Sequence, residues 1–188
     1  PQRRVLLERE RIPAGVAVWA DVALWESRAE LDAVIVPNGP WREGSLALEQ
    51  DAALRVTEVR TMDDPEPLRH EASADGRTLV VTVPRRIDGG SVPLVVHGLA
   101  PATGSGWRLP MLRPAAGAWA GGGTVARVAG EFEVRELEFD ECGVVAPETA
   151  ASWPRSGGQA ASSDAEGREA AVVYLEEQGP TAAALVRL

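Results

Sequence analysis

Apolar and polar residues alternate along this chain in short bursts, and turn-forming residues separate the bursts. The stretch 75–101 states the pattern most plainly. Leu79, Val81 and Val83 alternate with Val80 and Thr82, the period of a strand whose two faces meet different surroundings. Pro84 ends that run, Asp88-Gly89-Gly90 supplies a turn that accepts positive φ, and a second run occupies 92–96. This spacing predicts a β-hairpin, or at least two consecutive strands. Upstream, Val16, Val18, Ala20, Val22 and Leu24 share one parity, with Trp19, Asp21 and Trp25 on the other. Residues 31–36 read as a further strand, closed by the loop Pro37-Asn38-Gly39-Pro40. Leu46 and Leu48, then 54–59, continue the series, and 62–70 is an acidic, proline-bearing loop.

Beyond the central stretch, 102–123 is rich in Gly, Pro and Ala and reads as a long connection interrupted by short strands at 108–112 and 118–120. Residues 124–128 read as a strand. In 131–139 the apolar parity changes at Arg135-Glu136, which predicts a bulge or a short turn. Residues 170–175 and 181–187, joined through Gly179-Pro180, read as a closing hairpin. Roughly ten short strands with Gly/Pro turns argue for an all-β fold, an antiparallel β-sandwich with long Gly/Pro-rich loops. The domain reading is one sandwich over 1–188, a piece of a longer protein, with 153–168 a flexible loop.

Composition narrows the setting. All 19 basic residues are arginine, and Asn38 is the only asparagine, the coding bias of a GC-rich genome. The formal net charge is −9, so the surface repels phosphate backbones and anionic membranes; neither nucleic acid nor membrane insertion is expected. The basic clusters Arg3-Arg4, Arg9/Arg11 and Arg85-Arg86 are small. Cys142 is alone and cannot form an intrachain disulfide.

Candidate chemistry is sparse. His70 and His97 are the only imidazoles, and no H-E-x-x-H or C-x-x-C spacing accompanies them. His97 reads as a strand-end residue bonded to backbone and His70 as solvated. Glu131, Glu133, Glu136, Glu138, Asp140 and Glu141 could supply paired carboxylates for a hydrolase, against the plainer reading of a charged outer face. Asp63, Asp64 and Glu66 offer hard oxygens to calcium, but Pro65 constrains them and the calcium-loop spacing is missing. Six tryptophans outnumber the other aromatics. Trp19 and Trp25 read as core or sheet-face residues, whereas Trp41, Trp107, Trp119 and Trp153 lie near Gly/Pro loops. Trp41, Trp107 and Trp119 are therefore the candidate ligand-binding residues, as stacking platforms for a glycan; the alternative is that such rings plug the ends of the sandwich.

The run Asp75-Gly76-Arg77-Thr78-Leu79-Val80-Val81-Thr82-Val83-Pro84, followed by Gly89-Gly90 and Leu94-Val95-Val96, resembles β-sandwich modules in large exported bacterial proteins. It is also similar to the N-terminal saddle domain of M1-type aminopeptidases, without the peptidase zinc signature. Gly106-Trp107-Arg108-Leu109-Pro110 and Trp119 resemble segments of large multidomain envelope proteins of planctomycete-like bacteria. The resemblance implies an exported or envelope-attached module. The expectation is thus a non-catalytic structural or interaction module of a larger extracytoplasmic bacterial protein, with no cofactor and no metal. Its partners would be neighbouring domains, another protein or a glycan.

Overall fold

Alternating apolar residues commit most of this chain to strands, because only an extended backbone puts every second side chain on one buried face. The computed structural model describes residues 15–41, 44–87, 89–101, 106–114, 119–129, 132, 134–156, 171–178 and 183–187. In chain order these carry β1 (Val16–Leu24), β2 (Arg28–Pro37), β3 (Gly44–Gln50), β4 (Arg55–Thr61), β5 (His70–Ala72) and β6 (Thr78–Val83). After a 3-10 turn at Arg85–Ile87 come β7 (Leu94–Pro101), β8 (Gly106–Arg108), β9 (Leu112–Pro114), β10 (Trp119–Val128) and β11 (Glu136–Asp140). β12 (Cys142–Val144), a single helical turn α1 (Pro147–Ala150), β13 (Ala171–Glu177) and β14 (Ala183–Arg187) complete the set.

The strands form three sheets. Seven run in the order β12-β13-β10-β1-β2-β7-β4, four as β5-β6-β3-β9, and three as β11-β14-β8. One apolar cluster draws on all three: Val16, Val22 and Leu24 from β1, Leu31 and Ile35 from β2, Leu48 and Leu79 from the four-stranded sheet, and Trp107 and Val186 from the three-stranded one. The seven-stranded sheet is therefore one layer, and the two smaller sheets share the other. The fold is all-β and sandwich-like, as the alternation predicts. Among the described residues no helix is long and apolar enough to cross a membrane.

Several expected pairings differ. β6 and β7 are consecutive but not a hairpin: β6 pairs with β3 and β5, β7 with β2 and β4. Pro84, the 3-10 turn and Pro93 make the link too long and stiff to fold back on itself, so it carries the chain from one layer to the other. β13 and β14 likewise part, β13 to β10 and β12, β14 to β11 and β8. One pair is parallel, β1 with β10, within an otherwise antiparallel set. The largest correction concerns 121–123, expected as connection: the strands expected at 118–120 and 124–128 are one, β10, which runs ten residues from Trp119 and lies next to the centre of the large sheet. Its glycines misdirect a propensity reading, because they serve packing. A Cβ on Gly122 would sit 2.6 Å from the Val18 carbonyl oxygen, and one on Gly123 would sit 2.7 Å from the Trp153 ring. The parity change at Arg135-Glu136 marks the start of β11, with Val134 outside any strand. The lead-in 1–11, Glu131, Glu133 and positions 157–168 of the expected flexible loop lie outside the described residues. The front of that loop is packed: Trp153 is buried.

Candidate functional site

The outer face of the seven-stranded sheet gathers the ionisable side chains that sequence spacing alone does not connect. On β1, Asp21 has the opposite parity from the core residues; on β2, Asp32 does. The β1–β2 register sets Asp21 directly opposite Asp32, and the β2–β7 register sets Asp32 opposite His97. On β4, Glu58 faces His97 in turn. The result is a row of charged groups across four strands, continued on the other side by Arg127 of β10.

Two carboxylates facing each other across adjacent strands repel, so each needs its own counterion. Arg127 Nε donates to Asp21 Oδ1 and Oδ2 at 3.0 and 3.2 Å, and Nη2 donates to Oδ2 at 2.9 Å. This two-pronged contact raises the guanidinium pKa above its usual value, against the opposing effect of burial. His97 Nδ1 bonds the Asp32 carboxylate. Glu58 pairs with Arg60 at 3.6 Å. Each acid in the row is thus committed to a neighbour on the same face.

Next to this row, Trp153 lies on the glycine gap at Gly123 and against Trp19, ring centroids 5.0 Å apart and tilted by 40°. Val125, Ala150, Val145, Val172 and Tyr174 complete a second, smaller apolar cluster. Pro147 at the first turn of α1 and the Thr149 carbonyl, which accepts from Ser152 Oγ at 3.0 Å, shape the short segment that delivers Trp153.

A second polar group sits on the core side. Glu177 is buried at the end of β13; Thr124 Oγ1 donates to its Oε1 at 3.3 Å, and Arg113 Nε lies 4.0 Å from Oε2. Burial pushes the Glu177 carboxyl up, and Arg113, Thr124 and Trp119 pull the other way. The Cys142 thiol is raised by burial and, after that, by Glu177.

The expected tryptophan platform is not assembled. Trp41 and Trp107 are 2% and 5% exposed and belong to the main core, so neither ring has a face free for a sugar. Trp41 closes the link between β6 and β7: its indole Nε1 donates to the Val92 carbonyl at 2.7 Å, and its backbone pairs with Gly89 and Gly90. Trp107 lies opposite Val186 in the three-stranded sheet. Trp119 is half-buried at the start of β10, its indole turned toward Glu177. Trp41 and Trp107 are packed rings that close the core.

His97 stands within β7 rather than at its end and bonds a carboxylate rather than backbone. His70 begins β5, with Nδ1 3.1 Å from the Leu68 carbonyl oxygen. Around the proposed calcium ligands, Asp64 Oδ1 accepts the Glu66 amide at 2.9 Å, and Arg86 lies 3.8 Å from Asp64 and 3.1 Å from Glu66. One guanidinium thus bridges two of the three acids of that loop. Of the acidic run, Glu136 and Glu138 share Arg187 at 3.1 and 3.0 Å. Asp21, Asp32, Arg127, Arg113 and Glu177 are the residues that spacing did not single out. The available signal was an acid in mid-strand on the parity opposite the core, as at Asp21.

The fold therefore defines an all-β, sandwich-like protein whose outer-face acids Asp21, Asp32 and Glu58 are paired with Arg127, His97 and Arg60. No protein-family model and no curated protein matches the sequence. Among solved structures, that of native yeast LTA4 hydrolase is similar, with a TM-score of 0.50 and 9% identity. The match takes in 92% of this chain but 28% of that one. At this identity it speaks for the fold alone.

Proposed function

We propose that this chain is a non-catalytic structural or interaction module of a larger extracytoplasmic bacterial protein. The observation that carries the reading is the outer-face row, in which Asp21, Asp32 and Glu58 are each tied to Arg127, His97 and Arg60 instead of being presented to an open cleft. Such pairing holds a sheet face in register and leaves little free charge for acid–base work. The likeness to 28% of a longer hydrolase chain supports a fold that serves as one part of a longer polypeptide. The setting outside the cytoplasm rests on the resemblance of 75–101 to exported modules. Burial of Trp41 and Trp107 removes two of the three rings on which glycan binding would rest.

The test is turnover. The purified chain, Asp32→Asn and Glu177→Gln are assayed on chromogenic glycosides and peptides. The reading expects no activity above background in any of the three. Turnover in the parent chain that either substitution abolishes would overturn it.

A further inference from the structure

We propose that β11, the edge of the three-stranded sheet, is a docking site for an extended basic segment of another polypeptide, which adds as a fourth strand. The proposal rests on the interaction reading above and names the partner's chemistry.

Sheet edges expose unpaired N–H and C=O groups, and proteins usually blunt them. The other edges here are blunted. β4 carries a register shift between Val56 and Glu58, and its Arg60 is bridged by Pro67 of the following loop. β5, β8, β9 and β12 have three residues each, and Pro110 and Pro114 flank or end the β8–β9 stretch. β11 has five residues, begins and ends exposed, and has β14 as its one neighbour among the described residues.

Its side chains specify the occupant. Glu136, Glu138 and Asp140 alternate along the strand, all exposed, and a single guanidinium, Arg187, serves the first two. Phe139 is 47% exposed on the opposite parity, where an added strand could cover it. Beside it an open groove of about 320 Å³ runs over Ala183 and Leu185, with Glu138 and Asp140 on its β11 side and Arg108 across β14 on its β8 side. A second copy of β11 would bring acid against acid, so self-pairing is disfavoured. A strand alternating basic and apolar residues meets both needs: its cations face Glu138 and Asp140 while its apolar side chains cover Phe139.

The probe is a short fluorescent peptide alternating lysine and valine; the control has the same composition with its lysines and valines in separate blocks. Anisotropy should show the alternating peptide binding the chain, with affinity falling as salt rises. Phe139→Ser and Asp140→Lys, both at exposed positions, should each weaken it by about tenfold. Amide hydrogen exchange should slow in β11 on binding. Equal affinity for the blocked peptide, no effect of Phe139→Ser, or protection at a different strand would overturn the proposal. Failure here together with no turnover in the substrate assay removes the strand-addition site and leaves the non-catalytic reading standing, whereas turnover removes the latter.

Discussion

At the scale of single residues, Gly123 and Glu177 carry the most specific consequences. A methyl group on Gly123 would lie 2.7 and 2.8 Å from Trp153 ring carbons and 3.0 Å from Trp19. Gly123→Ala should therefore expel Trp153 from the sheet, cost about 1–3 kcal/mol, and shift tryptophan emission to the red. Unchanged emission and stability would show that Trp153 does not rest there. Glu177 is held above its ordinary pKa chiefly by burial. A raised carboxyl binds its proton more tightly folded than unfolded, so its contribution to stability falls as pH rises from the unfolded pKa through the folded one. Chemical denaturation of the parent chain and Glu177→Gln across that range should show the parent gaining stability relative to the variant as pH falls. A constant difference would mean that Glu177 titrates normally.

Individual elements show what alternation can and cannot reveal. β1, β2, β3 and β6 were legible because their core residues repeat at period two, and β4 and β7 because they are β-branched or apolar runs, with turn residues closing them. β10 was legible only as two pieces, 118–120 and 124–128, because Gly121-Gly122-Gly123 removes the apolar side chains that mark a strand between them; its pairing depends on Val18, Glu177, Trp19 and Trp153, all distant in sequence. Strand partners were legible least. The hairpins expected from neighbouring runs failed because each link passes between layers, a choice made by the whole core and not by the turn. The charged row was hidden for the same reason, since Asp21, Asp32, His97 and Arg127 meet only once the registers are set. Among the links, that between β6 and β7 is anchored by Trp41, which is 2% exposed and bonded to Val92, Gly89 and Gly90. Trp41→Ala should cost about 3–5 kcal/mol and speed amide exchange at Gly89 and Gly90. A ring that stacked on a ligand in solvent would be lost with little change in stability.

For the molecule as a whole, the account holds that one apolar interior, shared by a seven-stranded layer and two smaller sheets, is what the alternating pattern builds. Polar groups are then arranged to protect that interior: paired in a row on the outer face, or gathered around Glu177 where the core ends. Its tryptophans report on both layers, Trp41 and Trp107 from the main core and Trp19 and Trp153 from the outer cluster. The most direct measurement is equilibrium urea unfolding of the chain followed in parallel by far-ultraviolet circular dichroism and tryptophan emission. A shared interior predicts a single transition with the same midpoint and slope in both signals. Two transitions, with tryptophan emission changing while strand signal persists, would show that the layers do not share a core.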